Sequence, residues 1–244
     1  MADDIFLKKI QDVYKLCEKY HMPKFSKFLD ETQQAVLKKE GLFGGVLFGG
    51  YEGAERCMLG AFPDWQELDT SEFPIKVLEI TKKYEKSLNH RNYLGTILAL
   101  GIERNKIGDI LVGEKVSYVF VQEDIAEFIK DNIRKISGCG VEIRICNADE
   151  VTVPEKQFEL IETVAASLRL DAVIAAMLKL SRSEAKTFIM SGKVSVNHIE
   201  RQQTDYILSE NDLLSVRGYG RVELFEIGNK TRSDRIHIKL KKFI

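Results

Sequence analysis

The sequence predicts an α+β protein in three parts: N-terminal helices and a hairpin, a central βαββαβ plait, and a C-terminal helix–loop–helix–hairpin module followed by basic strands. Three observations carry this. Apolar residues recur at helical spacing near both ends of the chain. Between Pro74 and Cys146, strand-like and helix-like stretches follow the order of a split, ferredoxin-like plait. Near the C-terminus, LKLSRSEAKTFIMSGKVSVN (178–197) holds a helix start, an amphipathic run, a glycine stop and an alternating strand. The expected parts are residues 1–70, 71–150 and 160–244.

In the first part, DIFLKKIQDVYKLCEKY (4–20) sets Phe6, Ile10, Val13, Leu16 and Cys17 on one helical face. Asp30 with Gln33 can cap a second helix, which Gly41 stops. The stretches GGVLFGG and RCMLGAF, joined by YEGAE, read as a hairpin. Gly44–Gly53 is rich in glycine but matches no phosphate-cradling loop, lacking G-x-G-x-x-G in register and a Gly-Lys-Ser ending.

In the plait, the expected order is strand (IKVLEI), helix (about 91–100), strand (GDILV), strand (VSYVFVQ), helix (EDIAEFIKDNI) and strand (GVEIRIC). Many RNA-binding domains use this layout. Tyr118 and Phe120 share one face of their strand, either as open stacking rings or as core. The polar NADEVTVPEKQ (147–157) marks the boundary before the last module.

There, Leu170, Val173, Ile174, Met177 and Leu178 define a first helix with one apolar face. Ser181-x-x-Glu184 is a capping box, so a second helix runs from about Arg182 to Met190, with Ala185, Phe188 and Ile189 inward and Gly192 at its left-handed end. Arg182 and Ser183 fall in the first turn, where unpaired N–H groups favour phosphate, and an arginine fork suits phosphate oxygens. If the helices pack as a hairpin, Arg169, Arg182, Lys186 and Lys193 can share one surface.

Charge agrees. The whole chain is nearly neutral, at −1, but Ser167–Ile244 holds 14 Lys+Arg against 9 Asp+Glu, and the remainder 22 against 28. A basic C-terminal third on an acidic body is a footprint of polyanion binding. The candidate RNA contacts are Arg169, Ser181, Arg182, Ser183, Lys186, Lys193, Asn197, Arg201, Arg217 and Arg221, with His90, Arg91, Arg104, Lys239 and Lys241 in a second tier. A slide of 78 positions aligns Arg91, Arg104 and Lys115 with Arg169, Arg182 and Lys193, which raises the idea of a second basic surface in the central segment. The tail IHIKLKKFI alternates apolar residues with His237, Lys239 and Lys241, as a wider RNA surface or as a charged edge strand. With few aromatics expected to be exposed for stacking, structured RNA is favoured over single strands.

These residues carry a resemblance. RLDAVIAAMLKLSRSEAKTFIMSGKVSVN, closed by Asp212 to Val216, is similar to the S-four RNA-binding domain over about Ser167–Phe225, with Asn197-His198 where the usual turn is Asn-Gly. GGYEGAER (49–56) and NHRNYLGTILALGIERNKIGDILV (89–112), ahead of such a module, look like the YlmH family of bacterial RNA-binding proteins. That resemblance implies action on rRNA and tRNA at the large ribosomal subunit, in translation quality control.

Other classes are weighed against this. No apolar run approaches the roughly 20 residues of a membrane helix, and the start MADDIFLKK is no export signal, so a cytoplasmic protein is expected. Cys17, Cys57, Cys139 and Cys146 form no C-x-x-C pair and the four histidines are scattered, so neither metal nor cofactor is expected. The R-L-D at Arg169–Asp171 opens the binding module, where Asp171 suits a helix N-terminus better than catalysis. A methyltransferase would need a doubly wound sheet with a glycine-rich turn. The reading is a binder; an RNA-modifying enzyme with an unfamiliar catalytic part, or a protein–protein adaptor, are the alternatives.

Overall fold

The structure, a computed structural model, describes residues 2–41, 45–151, 153 and 158–243. Gly44 and five residues of the expected boundary stretch (152 and 154–157) lie outside them. The chain forms two compact units, Met1–Pro154 and Glu155–Ile244.

The first unit opens with α1 (Ala2–Tyr20), whose Ile10 and Cys17 are buried with Phe6, Leu7 and Tyr14 alongside, while Leu16 faces solvent. After β1 (Lys24–Phe25), α2 (Glu31–Glu40) starts from the expected Asp30–Gln33 capping box and ends at Gly41 with φ +84°. The expected hairpin is β2 (Val46–Phe48) against β3 (Met58–Ala61), pairing Leu47 with Leu59, and β1 adds to the other side of β3.

The plait follows in the expected order: β4 (Ile75–Lys82), α3 (His90–Leu98), β5 (Ile107–Leu111), β6 (Val116–Gln122), α4 (Glu123–Asn132), and, past a short β7 (Lys135–Ile136), β8 (Cys139–Cys146). The sheet order is β5-β6-β4-β8-β7, all neighbours antiparallel. Strand alternation sends Leu78, Ile80, Val119 and Val121 to one face, where Tyr93 and Ile97 of α3 and Ile125 and Ile129 of α4 cover them. Val77, Phe120 and Cys146 go to the other.

That second face is closed too. Phe28 and Met58 from the N-terminal region, with Phe73 just ahead of β4, pack on it, and the rings of Tyr51 and Phe120 lie 4.9 Å apart. Phe120 is therefore a core side chain, the second of the two readings above, and Tyr118 is partly buried against the same cluster. Asp109 on β5 ties the layers together: it is buried, accepts from the Tyr51 hydroxyl (2.7 Å), and takes the backbone N–H groups of Glu55 (2.7 Å) and Arg56 (3.0 Å). Burial and the Asp109 charge push the Tyr51 phenol far above its ordinary value.

In the second unit, β9 (Phe158–Ala165) leads into α5 (Leu170–Leu178) and α6 (Arg182–Met190), then β10 (Val194–Val196), β11 (Ile199–Glu200), β12 (Leu213–Val216), β13 (Gly220–Lys230) and β14 (Ile236–Phe243). The sheet order is β11-β10-β12-β13-β14-β9. Sequence reasoning did not foresee β9. Its presence puts the basic tail strand β14 inside the sheet, between β13 and β9, so the edge-strand reading of the tail is corrected. Leu170, Val173, Ile174, Ala185 and Ile189 seal one face of the sheet against Val194, Val196, Leu214, Val222, Leu224, Ile238 and Leu240.

The packing of the N-terminal layer onto the plait makes a test. A Cβ at Gly50, whose φ is +100°, would sit 2.5 Å from the Phe120 ring. Gly50→Ala is expected to cost about 2–4 kcal/mol, from overpacking plus left-handed strain, and a urea denaturation curve measures it. An unchanged midpoint would mean that this layer does not bear on the sheet.

Candidate RNA-binding face

The first turn of α5 is anchored from outside: Leu170 and Asp171 donate their N–H groups to the carbonyls of Tyr206 (2.8 Å) and Thr204 (3.0 Å). Asp171 is thereby placed in the first turn of α5, facing the start of α6, with no solvent exposure. An ionised carboxylate there needs donors. Arg169 supplies two, at 3.2 and 3.3 Å, and Arg182 a third at 2.8 Å, while the Lys186 ammonium stands 3.9 Å away. Burial opposes ionisation of Asp171, but the hydrogen bonds from Arg169 and Arg182 and their charges outweigh it and hold the carboxyl below its usual range.

The expected capping box is present. Ser181 Oγ accepts from the Glu184 N–H, and Glu184 accepts from the Ser181 N–H at 2.8 Å. Hydrogen bonds from the Ser181 hydroxyl and backbone hold Glu184 below its ordinary value. Ser183 Oγ lies 3.0 Å from Ser181 Oγ. A cation in the first turn of a helix opposes the dipole by about 0.3–1 kcal/mol; here Arg182 is offset by Asp171. A guanidinium has five N–H donors, and the Arg182 side chain is 48% exposed, so it can hold Asp171 and a phosphate oxygen together.

Three expected contacts, Arg169, Arg182 and Lys186, thus converge on one carboxylate. Lys193 follows α6 with its ammonium 5.2 Å from the centre of the Phe188 ring, and its carbonyl accepts from the Arg217 N–H, bringing Arg217 beside it. Arg201 lies over the Tyr206 ring at 4.6 Å, its Nε shielded and without a protein acceptor. Asn197 is engaged internally: its amide donates to Asp212 (2.7 Å) and accepts from the Leu213 N–H (2.9 Å). This clamp supports a two-residue turn in which Asn197 and His198 both have positive φ (48° and 67°), the type I′ shape that Asn-Gly would also take.

Arg221, Lys239 and Lys241 are not part of this group. They alternate with buried Val222, Ile238 and Leu240 and point to the outer face of the sheet, away from the helices. There the Lys241 ammonium stands over the Phe225 ring (3.3 Å) and near that of Phe158 (5.1 Å), both rings exposed. Lys239 pairs with Glu226 at 2.8 Å. Exposed aromatics are therefore more available than the sequence suggested.

In the first unit, His90 and Arg91 open α3 and are exposed. Arg104 is drawn inward onto the carbonyls of Ile107 and Gly108, and burial, with Arg56 nearby, pushes it down to about 10. Where the second unit has α6, this segment has a 3-10 turn (Arg104–Lys106) and β5, so the 78-residue correspondence is not structural. Among the described residues no group of three His, Cys, Asp or Glu side chains is placed to hold a metal ion.

Two short helices clamped on a buried carboxylate and carried by an antiparallel sheet, following a βαββαβ unit in the chain, define an RNA-binding protein. Comparison with known proteins agrees: residues 69–150 match the family described as "Putative RNA-binding domain in YlmH", and residues 168–214 match the S4 domain. The chain is 31% identical over 230 residues to the ribosome-associated protein quality control protein P2 of Bacillus subtilis (strain 168), covering 92% of this chain and 89% of that one. It belongs to the YlmH family. The solved structure of cell division protein ylmH from Streptococcus pneumoniae shares the fold, with a TM-score of 0.52 and 22% identity over 62% of this chain and 96% of that one. The tyrosine–tRNA ligase of Laribacter hongkongensis is 46% identical over 61 residues, a quarter of this chain (25%) and 13% of the ligase.

The Asp171 geometry fixes a pH response. A carboxyl held below its unfolded value near about 3.9 contributes stability that is complete above that pH and lost as pH falls through the folded value. Asp171→Asn is expected to lower stability at neutral pH by about 1–3 kcal/mol and to flatten the acid limb of the second unit's melting profile. Thermal melts from about pH 2 to pH 7 check this; an unchanged acid limb would remove Asp171 from the account.

Proposed function

We propose that this protein is an RNA-binding factor of ribosome quality control that holds rRNA and tRNA backbones at the large ribosomal subunit through the α5–α6 face. One observation carries the reading: Arg169 and Arg182 are partly exposed yet fixed by hydrogen bonds to a carboxylate that solvent does not reach, with the Lys186 ammonium beside them. Cations fixed in this way present phosphate-binding donors with less conformational entropy left to lose on binding. The name of the Bacillus relative, ribosome-associated and in protein quality control, supports the setting, and such a protein works in the cytoplasm.

Binding, not catalysis, is the reading for Asp171 as well. An acid that acts on an RNA base must reach it, whereas Asp171 is enclosed and hydrogen-bonded to two arginines. Structured RNA is the favoured ligand, because the paired helices offer phosphate donors along a surface.

Co-sedimentation with separated ribosomal subunits across a salt series tests this. Four to six phosphate contacts give a slope of log affinity against log salt of about −3 to −5. In Arg182→Gln/Lys186→Gln the slope is expected to become shallower by about 1–2, with large-subunit binding weakened about tenfold or more. Glutamine is the cleaner change, since glutamate at 182 would set a second carboxylate against Asp171. Undiminished binding by the double variant would move the site off this face.

A further inference from the structure

The fold of the first unit narrows where an RNA can touch it. One face of the plait sheet is covered by α3 and α4, the other by Phe28, Met58 and Phe73. The broad stacking surface that an open sheet of this layout offers is closed. What is left is the rim, and one stretch of the rim is basic.

The loop between β4 and α3 and the turn between β7 and β8 meet there. Residues 82–92 and 134–140 hold six Lys+Arg and a single acid, Glu85, although residues 1–154 as a whole hold 21 Lys+Arg against 25 Asp+Glu. Some cations elsewhere on this unit pair with acids, as in Lys27–Glu103, Lys106–Asp124 and Lys130–Glu127, and others, such as Lys15 and Lys38, lie on helices that also carry acids. Lys83, Arg91 and Lys135 are exposed and have no ion-pair partner among the described residues. A face that is merely solvated would mix the signs.

The rim is also held in shape. Ser137 and Gly138 form a two-residue turn with φ of 48° and 80°. The Tyr84 hydroxyl donates to the Gly138 carbonyl (2.6 Å) and accepts from the Gly140 N–H (3.1 Å). Lys86 donates to the Ser137 carbonyl at 2.6 Å, and Asn92, in the first turn of α3, donates to the Ser137 hydroxyl at 2.9 Å. Tyr84 is fixed by its tip while its side remains 53% exposed. Core packing does not account for an anchored, open ring among lysines; a base-stacking surface does.

We propose that this rim is a second RNA-binding site, in which Lys83, Lys86, Arg91 and Lys135 take the phosphates of an RNA strand and Tyr84 stacks an unpaired base. The inference rests on the RNA-binding reading above and names a surface that lies in the other compact unit. The N-terminus of α3, beginning at His90, adds its positive dipole end to the same rim.

The test uses the full chain and a fluorescein-labelled RNA hairpin with an unpaired loop, titrated across a salt series. Lys83→Gln/Arg91→Gln/Lys135→Gln is expected to bind about tenfold or more weakly at low salt, with a slope shallower by about 2–3. If this triple variant matches wild type while Arg182→Gln/Lys186→Gln is weakened, the rim is not a site and the RNA-binding reading stands. If wild type shows no salt-dependent binding, that reading falls and this one with it. A measurement on wild type guards against a misfolded variant: bound RNA should protect Lys83 and Lys135 from acylation, read by mass spectrometry, and equal labelling with and without RNA overturns the proposal.

Discussion

A carboxylate sealed from solvent cannot stand without donors, and that constraint shapes the second unit. Asp171 sits where two short helices meet, and its need for hydrogen bonds draws Arg169 and Arg182 out of the many rotamers that long side chains otherwise sample. The pairing also removes a local conflict, since Arg182 at a helix start is opposed by the dipole until Asp171 offsets it. The same bonds leave each guanidinium with donors to give. One ion cluster therefore both satisfies the buried carboxylate and holds guanidinium donors at the surface, with the carboxylate inside and the cations at the boundary.

A second buried aspartate plays a different part in the first unit. Asp109 gathers Tyr51 and the N–H groups of Glu55 and Arg56, which joins the two motifs GGYEGAER and NHRNYLGTILALGIERNKIGDILV that carry the family resemblance. Arg56 and Arg104 extend the joint by donating to the carbonyl of Ile107. Arg104, which the sequence offers as an RNA contact, is instead part of the seam between two layers. Charge in a motif marks a partner, and here the partner is the protein's own chain.

Local grammar was legible. The capping boxes at Asp30 and Ser181, the glycine stops at Gly41 and Gly192, the hairpin and the order of the plait all follow from residues close in sequence. What escaped depends on distant pairing. FELIETVA, residues 158–165, does not alternate apolar and polar residues cleanly, so it does not announce a strand until β14 pairs along it, and that pairing turns an expected edge into an interior strand. The same alternation that placed Lys239 and Lys241 outward could not say that Phe158 and Phe225 would lie beside Lys241. Within the candidate face, the cations of α5 and α6 were visible as a group, but Asp171 as their organiser was not, because its burial depends on the segment 204–206 closing over the helix start.

The covering of the plait by the N-terminal layer has a consequence for how the chain becomes a protein. Val77, Phe120 and Cys146 lie beneath residues from far upstream, Phe28 and Met58 among them. The stretch that matches a domain family, residues 69–150, is thus a recognisable lineage but not a self-sufficient folding body. Cut out alone, it would expose an apolar sheet face to water, the kind of surface that draws other chains into aggregates. During synthesis the upstream segment emerges first and has to wait for the sheet it will cover, so the boundary drawn by ancestry and the boundary drawn by cooperativity do not coincide.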